Sequence, residues 1–223
     1  MSYAYFVSAR RLLPACYREE FLGVELLRVE LPPRRGTIRR VLRRLAKAGV
    51  THSLNLPPLP TYPEPCPRAV ETAALYRRKA AALALWALDQ HGLAPEAQVV
   101  GLRGRAWTAD LRRAADVLAP RVKSLALCLE REGAEQTAAA DLLERWGVGV
   151  LHGEGAVTLC FSPAPPGEGR LLLGEDRPCV EGLTWRWQGG KLPPGAPADA
   201  LLTVLSRRGR IGWEELVPAR QNA

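Results

Sequence analysis

Hydrophobic positions change their period along the first third of the chain. Apolar residues cluster at 3–7 and again at 24–31, extended runs that predict strands. Between Gly36 and Gly49 the period becomes helical: Ile38, Val41, Leu42 and Leu45 recur at i, i+3, i+4 and i+7, while Arg39, Arg40, Arg43, Arg44 and Lys47 fill the other side. Gly49 suits the left-handed residue that closes such a helix. Residues 51–56 read as a further strand, so 24–56 predicts a β-α-β unit. Six prolines then fall within residues 57–67. Each removes an amide donor and restricts the residue before it, which excludes helix and inner strand there.

Residues 68–91 predict one long helix ending at Gly92, its second half (80–88) apolar around nearly the whole circumference and so buried on more than one side. A regular alternation follows. Residues 98–101 read as a short strand. Residues 109–119 read as a helix with Leu111, Ala114, Ala115 and Leu118 on one face, Thr108 as its N-cap and Asp110 in its first turn. A strand at 123–129 leads to a helix at 134–146, with Ala138, Ala139, Leu142, Leu143 and Trp146 inward and Gly147 at its end, then a strand at 149–152. This spacing predicts a parallel sheet with right-handed crossovers. Residues 153–156 are too few for another helical crossover before the apolar run 157–161, so those two strands are expected to pair antiparallel or to join across a truncated unit. The tail (170–173, 183–188 and a helix at 198–208) reads as a small β addition and a closing helix, with Trp185 and Trp187 on one strand face beneath it and Trp213 as an anchor. The organisation expected is a basic α/β subdomain over 1–65, a parallel-sheet domain over 66–165 and a β/α extension over 166–223.

Composition narrows the class. The chain has 223 residues, 47% hydrophobic, 24% charged and 6% aromatic, as soluble globular proteins do. Its longest clean apolar run, 80–88, falls short of the roughly 18 residues that cross a bilayer. The first ten residues lack a basic region followed by an apolar one, so no signal peptide is expected. Cys16, Cys66, Cys128, Cys160 and Cys179 show no C-x-x-C and no repeated spacing. His52, His91 and His152 have no second ligand at helical spacing. No disulfide framework and no metal site are expected, and the expected compartment is the cytoplasm. Residues 1–65 carry 11 basic and 5 acidic side chains, so most of the net +8 sits there. The stripe Arg39, Arg40, Arg43, Arg44 and Lys47 could lie on nucleic acid, on an anionic membrane surface or on an acidic protein; no aromatic residue interleaves it between Phe21 and Tyr62.

The segment Gly101-Leu-Arg-Gly-Arg-Ala-Trp107 stands where a doubly wound domain keeps its phosphate loop, between its first strand and first helix. With a small α/β domain and a connecting helix ahead of it, the stretch 67–152 resembles Rossmann-type dinucleotide-binding domains, such as those of the shikimate and methylenetetrahydrofolate dehydrogenase groups. The resemblance implies a Rossmann-like parallel sheet, a ligand at Gly101 and Gly104, Glu130 toward the ribose hydroxyls, and NAD or NADP as the cofactor. The departures are definite: Gly101 and Gly104 make G-x-x-G rather than G-x-G-x-x-G, the third glycine position is Trp107, and no catalytic pair of those families is present. Arg103 and Arg105 could grip a phosphate instead, since guanidinium offers bidentate geometry. The function expected is binding of a nucleotide or another anion without strong catalysis. The alternative is an interaction protein that uses the basic helix.

Overall fold

The computed structural model describes residues 2–10, 13–174, 178 and 180–221. In chain order the elements are β1 (Tyr3–Ser8), β2 (Ala15–Phe21), β3 (Val24–Leu31), α1 (Arg35–Lys47), β4 (His52–Ser53), β5 (Arg68–Ala69), α2 (Ala73–Arg78), α3 (Ala80–Gln90), β6 (Val99–Gly104), α4 (Ala109–Leu118), β7 (Ser124–Leu129), α5 (Ala134–Trp146), β8 (Val150–His152), β9 (Val157–Cys160), β10 (Arg170–Leu172), β11 (Leu183–Trp187), α6 (Ala198–Arg207) and β12 (Leu216–Arg220). The protein is α/β, with mostly parallel sheets. Among the described residues no helix is long and apolar enough to cross a membrane. Two units divide the chain, Met1–Glu71 with Trp185–Leu216 and Thr72–Thr184 with Val217–Ala223.

The first unit holds a sheet ordered β2-β3-β1-β4-β5. Its strands run parallel except β2, which forms an antiparallel hairpin with β3 through Leu22 and Gly23, both at positive φ. Those dihedrals let a two-residue turn follow the strands' twist. Helix α1 forms as its periodicity predicts. Ile38, Leu42 and Leu45 pack with Ala4, Phe6, Val29, Leu31 and Val50 on one side of the sheet, each such side chain contributing about 1.5–3 kcal/mol on burial. Its end is a Schellman closure: Gly49, at φ 83°, donates to Ala46 O and Val50 donates to Leu45 O. Strand β4 is two residues long where 51–56 predicts six, because the side-chain amide of Asn55 replaces the main chain beside β1. It accepts from Phe6 N and donates to Phe6 O, at 2.8 and 2.9 Å. The proline stretch stays within this unit and leads into β5.

The second unit holds a sheet ordered β10-β9-β6-β7-β8, parallel throughout. Val99–Gly104 lies alongside Ser124–Leu129 in parallel, as expected. Helices α4 and α5 connect β6 to β7 and β7 to β8. The predicted faces of α4 and α3 are buried, and Thr108 Oγ1 accepts from Leu111 N. Four expectations are corrected. Residues 68–91 are not one helix: Arg68 and Val70 donate to Thr51 O and Ser53 O as β5 joins β4, so the helix begins only at Ala73, and the chain leaves helical geometry again at Lys79. On α5, Leu143 and Trp146 are exposed rather than inward, since the short β8 offers only a narrow surface; the Trp146 indole donates to Asp116 of α4 instead. Strand β6 does not stop at residue 101 but runs through Gly104, so the turn before α4 is 105–108. Finally, of the two alternatives for β8 and β9 the antiparallel pairing fails: β8 flanks β7, β9 lies parallel to β6 on that strand's other side, and the two join across a unit without its helix.

The β8–β9 connection, residues 153–156, has no room for a helix. It crosses against β6, where Gly155 meets Val99 and Gly101, and Ala156 donates to Val99 O. A Cβ at Gly101 would stand 2.5 Å from Thr158 Oγ1 and 3.0 Å from Gly155 N. Gly101 has ordinary strand dihedrals, so sterics alone decide its substitution. Gly101→Val should lose about 1–3 kcal/mol in urea unfolding through overpacking. Gly149→Ala, where nothing lies within 4 Å, should change stability by less than about 0.5 kcal/mol. A stabilised Gly101→Val, as β-propensity alone would give, would contradict this crossing.

Candidate functional site

Gly104, Arg105 and Glu130 come together at the carboxyl end of the second unit's sheet. Glu130 N donates to Gly104 O and Arg131 N to Arg105 O, so β6 and β7 stay paired past their last strand residues. Arg105 Nε lies 4.0 Å from Glu130 Oε2, and its side chain is 84% exposed. On the other side Ser162, just beyond β9 and buried, donates from Oγ to Glu130 Oε1 at 3.2 Å. The group therefore spans the ends of β6, β7 and β9. Ser162 carries no motif in the sequence; only the β6–β9 neighbourhood reveals it.

The glycines have definite neighbours. A Cβ at Gly104 would lie 2.8 Å from Leu111 Cδ1, so this glycine admits the first turn of α4 against the strand. Trp107 does not obstruct that approach. Its indole turns toward α5 and donates to Asp141 at 2.9 Å, a bond that with Arg112 holds the Asp141 carboxyl below the usual carboxylate range.

Gly101 and Arg103 fall on the other face, because side chains alternate along a strand. There Arg103 Nη1 donates to Glu154 Oε1 at 3.3 Å, and Arg170 of β10 grips the same carboxylate with Nε and Nη2 at 3.0 and 2.6 Å. Glu154 is thus bound by two guanidinium groups, one bidentate. Cys128 and Cys160 flank Arg103 in register on β7 and β9, and burial pushes the Cys160 thiol up. Glu154 and Arg170 went unnoticed in the sequence because they lie 51 and 67 residues from Arg103. Cys16, Cys66, Cys128 and Cys160 are free; Cys179 lies outside the described residues.

At the end of β8 the exposed His152 meets Glu135 of α5, Nδ1 to Oε2 at 2.9 Å. Burial would raise the Glu135 carboxyl, but the Leu129 amide and His152 outweigh it and the net direction is down. In the first unit, Arg39, Arg40, Arg43, Arg44 and Lys47 all lie on the exposed side of α1 and line a shallow hollow with Gly36. Among the described residues none of the five makes an ion pair.

The Glu154 clamp has a pH signature. Hydrogen bonding by Arg170, with the charges of Arg170 and Arg103, holds the carboxyl below its ordinary value of 4.5. A carboxyl depressed on folding stabilises the fold above its unfolded value and loses that contribution as pH falls through the folded value. Wild type should therefore be more stable than Glu154→Gln at neutral pH, and the difference should close as pH drops below 4.5, read by urea midpoints from pH 7 to pH 3. A difference independent of pH would remove the ion pairs as its source.

No protein-family model matches this chain, and no curated protein matches it, so its function is read from the geometry of the two units.

Proposed function

We propose that the second unit is a Rossmann-like domain that binds a nucleotide or another small anion at the carboxyl edge of its sheet. One observation carries the reading. Numbered within the unit, the five parallel strands stand in the order 3-2-1-4-5, reversing between β6 and β9, and open α/β sheets take ligands outside the strand ends at such a reversal. Arg105, Glu130 and Ser162 stand at that point. Arg105 supplies the cationic fork for a phosphate, the amides that open α4 add their donors, and Glu130 accepts from sugar hydroxyls. The Cβ side of each glycine is occupied, at Gly101 by Thr158 and Gly155 and at Gly104 by Leu111. That crowding favours a mononucleotide or simpler anion over NAD or NADP. Titration with AMP and ATP, followed by tryptophan fluorescence, tests it. Arg105→Ala should weaken binding by about tenfold or more, as charge-assisted hydrogen bonds do. No response of the wild type to either nucleotide would end this reading.

A second reading rests on the arginine face of α1, which we propose binds an acidic polymer, nucleic acid first. The absence of ion pairs along its five basic residues, among the described residues, supports it, since the charge is not already neutralised within the fold. Affinity for a single- or double-stranded oligonucleotide should then fall with salt with a slope of about −0.7 to −0.9 per phosphate neutralised. Changing Arg39, Arg40, Arg43 and Arg44 to Glu should abolish binding without lowering the melting temperature, because Ile38, Leu42 and Leu45 hold the helix down. A salt-independent affinity leaves the stripe as a solvated face.

A further inference from the structure

The first unit contains a cavity that neither reading uses. Tyr3, His52 and Arg68 stand side by side on β1, β4 and β5, in register across three adjacent parallel strands. Neighbouring residues in register project to the same side of a sheet, so these three build a wall. Val204 and Arg207 of α6 and Val70 after β5 complete it around a space of about 270 Å³. Arg207 donates to Glu71 O at 3.2 Å, which holds the end of α6 beside β5. The Tyr3 and His52 rings lie 5.9 Å apart at 48°, and Arg208 sits 5.9 Å over the Tyr3 ring with a bond to its hydroxyl.

The chemistry of this wall is one-sided. Arg68 and Arg207 both face the cavity, and among the described residues neither has a carboxylate within ion-pair distance, although Glu71 lines the same space. Cations gathered in a concave site raise the local potential for anions and focus it inward. The aromatic pair, its rings tilted 48° to each other, offers ring surface next to that charge. Small-molecule sites run from about 300 Å³ upward, so a space just below that limit takes one ring with one anionic group and is too small for a dinucleotide.

We infer that this cavity is a binding site for a small monocyclic organic anion, its ring against Tyr3 and His52 and its phosphate or equivalent group between Arg68 and Arg207. The site lies wholly in the first unit and stands independently of the nucleotide reading for the second. Phenyl phosphate, inorganic phosphate and benzyl alcohol separate its parts by isothermal titration of the full chain. Phenyl phosphate should bind, inorganic phosphate should bind more weakly, and benzyl alcohol should show no heat. Arg68→Ala should cost about tenfold in phenyl phosphate affinity. Because the Arg68 side chain makes no ion pair or hydrogen bond among the described residues, that variant keeps the fold. Arg68→Ala with Arg207→Ala should remove binding, and His52→Ala should weaken phenyl phosphate while leaving inorganic phosphate unchanged. Arg105→Ala should have no effect, which keeps this site distinct from the carboxyl edge of the second unit. Absence of phenyl phosphate binding up to about 10 mM, or equal affinity in Arg68→Ala, would overturn the assignment.

Discussion

Residues 153–156 set the terms for the second unit's sheet. From β8 to β9 the chain passes three inter-strand spacings, about 14 Å in all, and the steps from His152 to Val157 reach only about 17 Å when fully extended. Nothing but an extended strand of chain lying against the sheet meets both limits. Side chains beneath it would have to be small, and at the closest approach Gly101 and Gly155 face each other without a Cβ on either. Between them the only long side chain in the segment, Glu154, is held by Arg103 and Arg170 from two different strands. The crossing therefore explains a glycine, a paired arginine and an all-parallel order at once.

That constraint also marks where the sequence stops being informative. Periodicity locates α1, α4 and α5, and the parallel partnership of β6 with β7 follows from the helix between them. Strand β2 escapes notice because most of its residues face solvent on an edge hairpin, so Ala15–Phe21 shows no apolar alternation. The length of β4 depends on a side-chain amide 49 residues from its partner in the sequence, Asn55 on Phe6. At the candidate site, Gly104, Arg105 and Glu130 were legible because a strand-helix-strand unit brings consecutive loop ends together. Gly101 and Arg103 read as parts of the same turn only while β6 is taken to end early; three more residues of strand place them on the opposite face. Ser162, Glu154 and Arg170 depend on β9 inserting beside β6, which no local pattern encodes.

Charge in the first unit is arranged on two sides of one sheet. The alternation along β1 sends Ala4 and Phe6 toward α1 and Tyr3 away from it. The arginine stripe on the outer side of α1 and the cationic cavity around Tyr3 and His52 are therefore separated by the sheet itself. One is broad, exposed and without aromatic residues, suited to a long polyanion. The other is concave and lined by rings, suited to a small one. The first unit's positive charge thus stands on two differently shaped surfaces, the stripe drawn from residues 39–47 and the cavity's arginines, Arg68 and Arg207, from outside residues 1–65.

The first unit's chain is interrupted: its last piece, Trp185–Leu216 with helix α6, arrives only after the strands of the second unit have been made. Proteins usually complete their domains from the amino terminus during synthesis, but here the amino-terminal sheet leaves the ribosome without the helix that brings Arg208 over Tyr3. The stretch carrying the five parallel strands is finished first. Until α6 follows, the Tyr3 side of the sheet lacks the cover that this helix gives it.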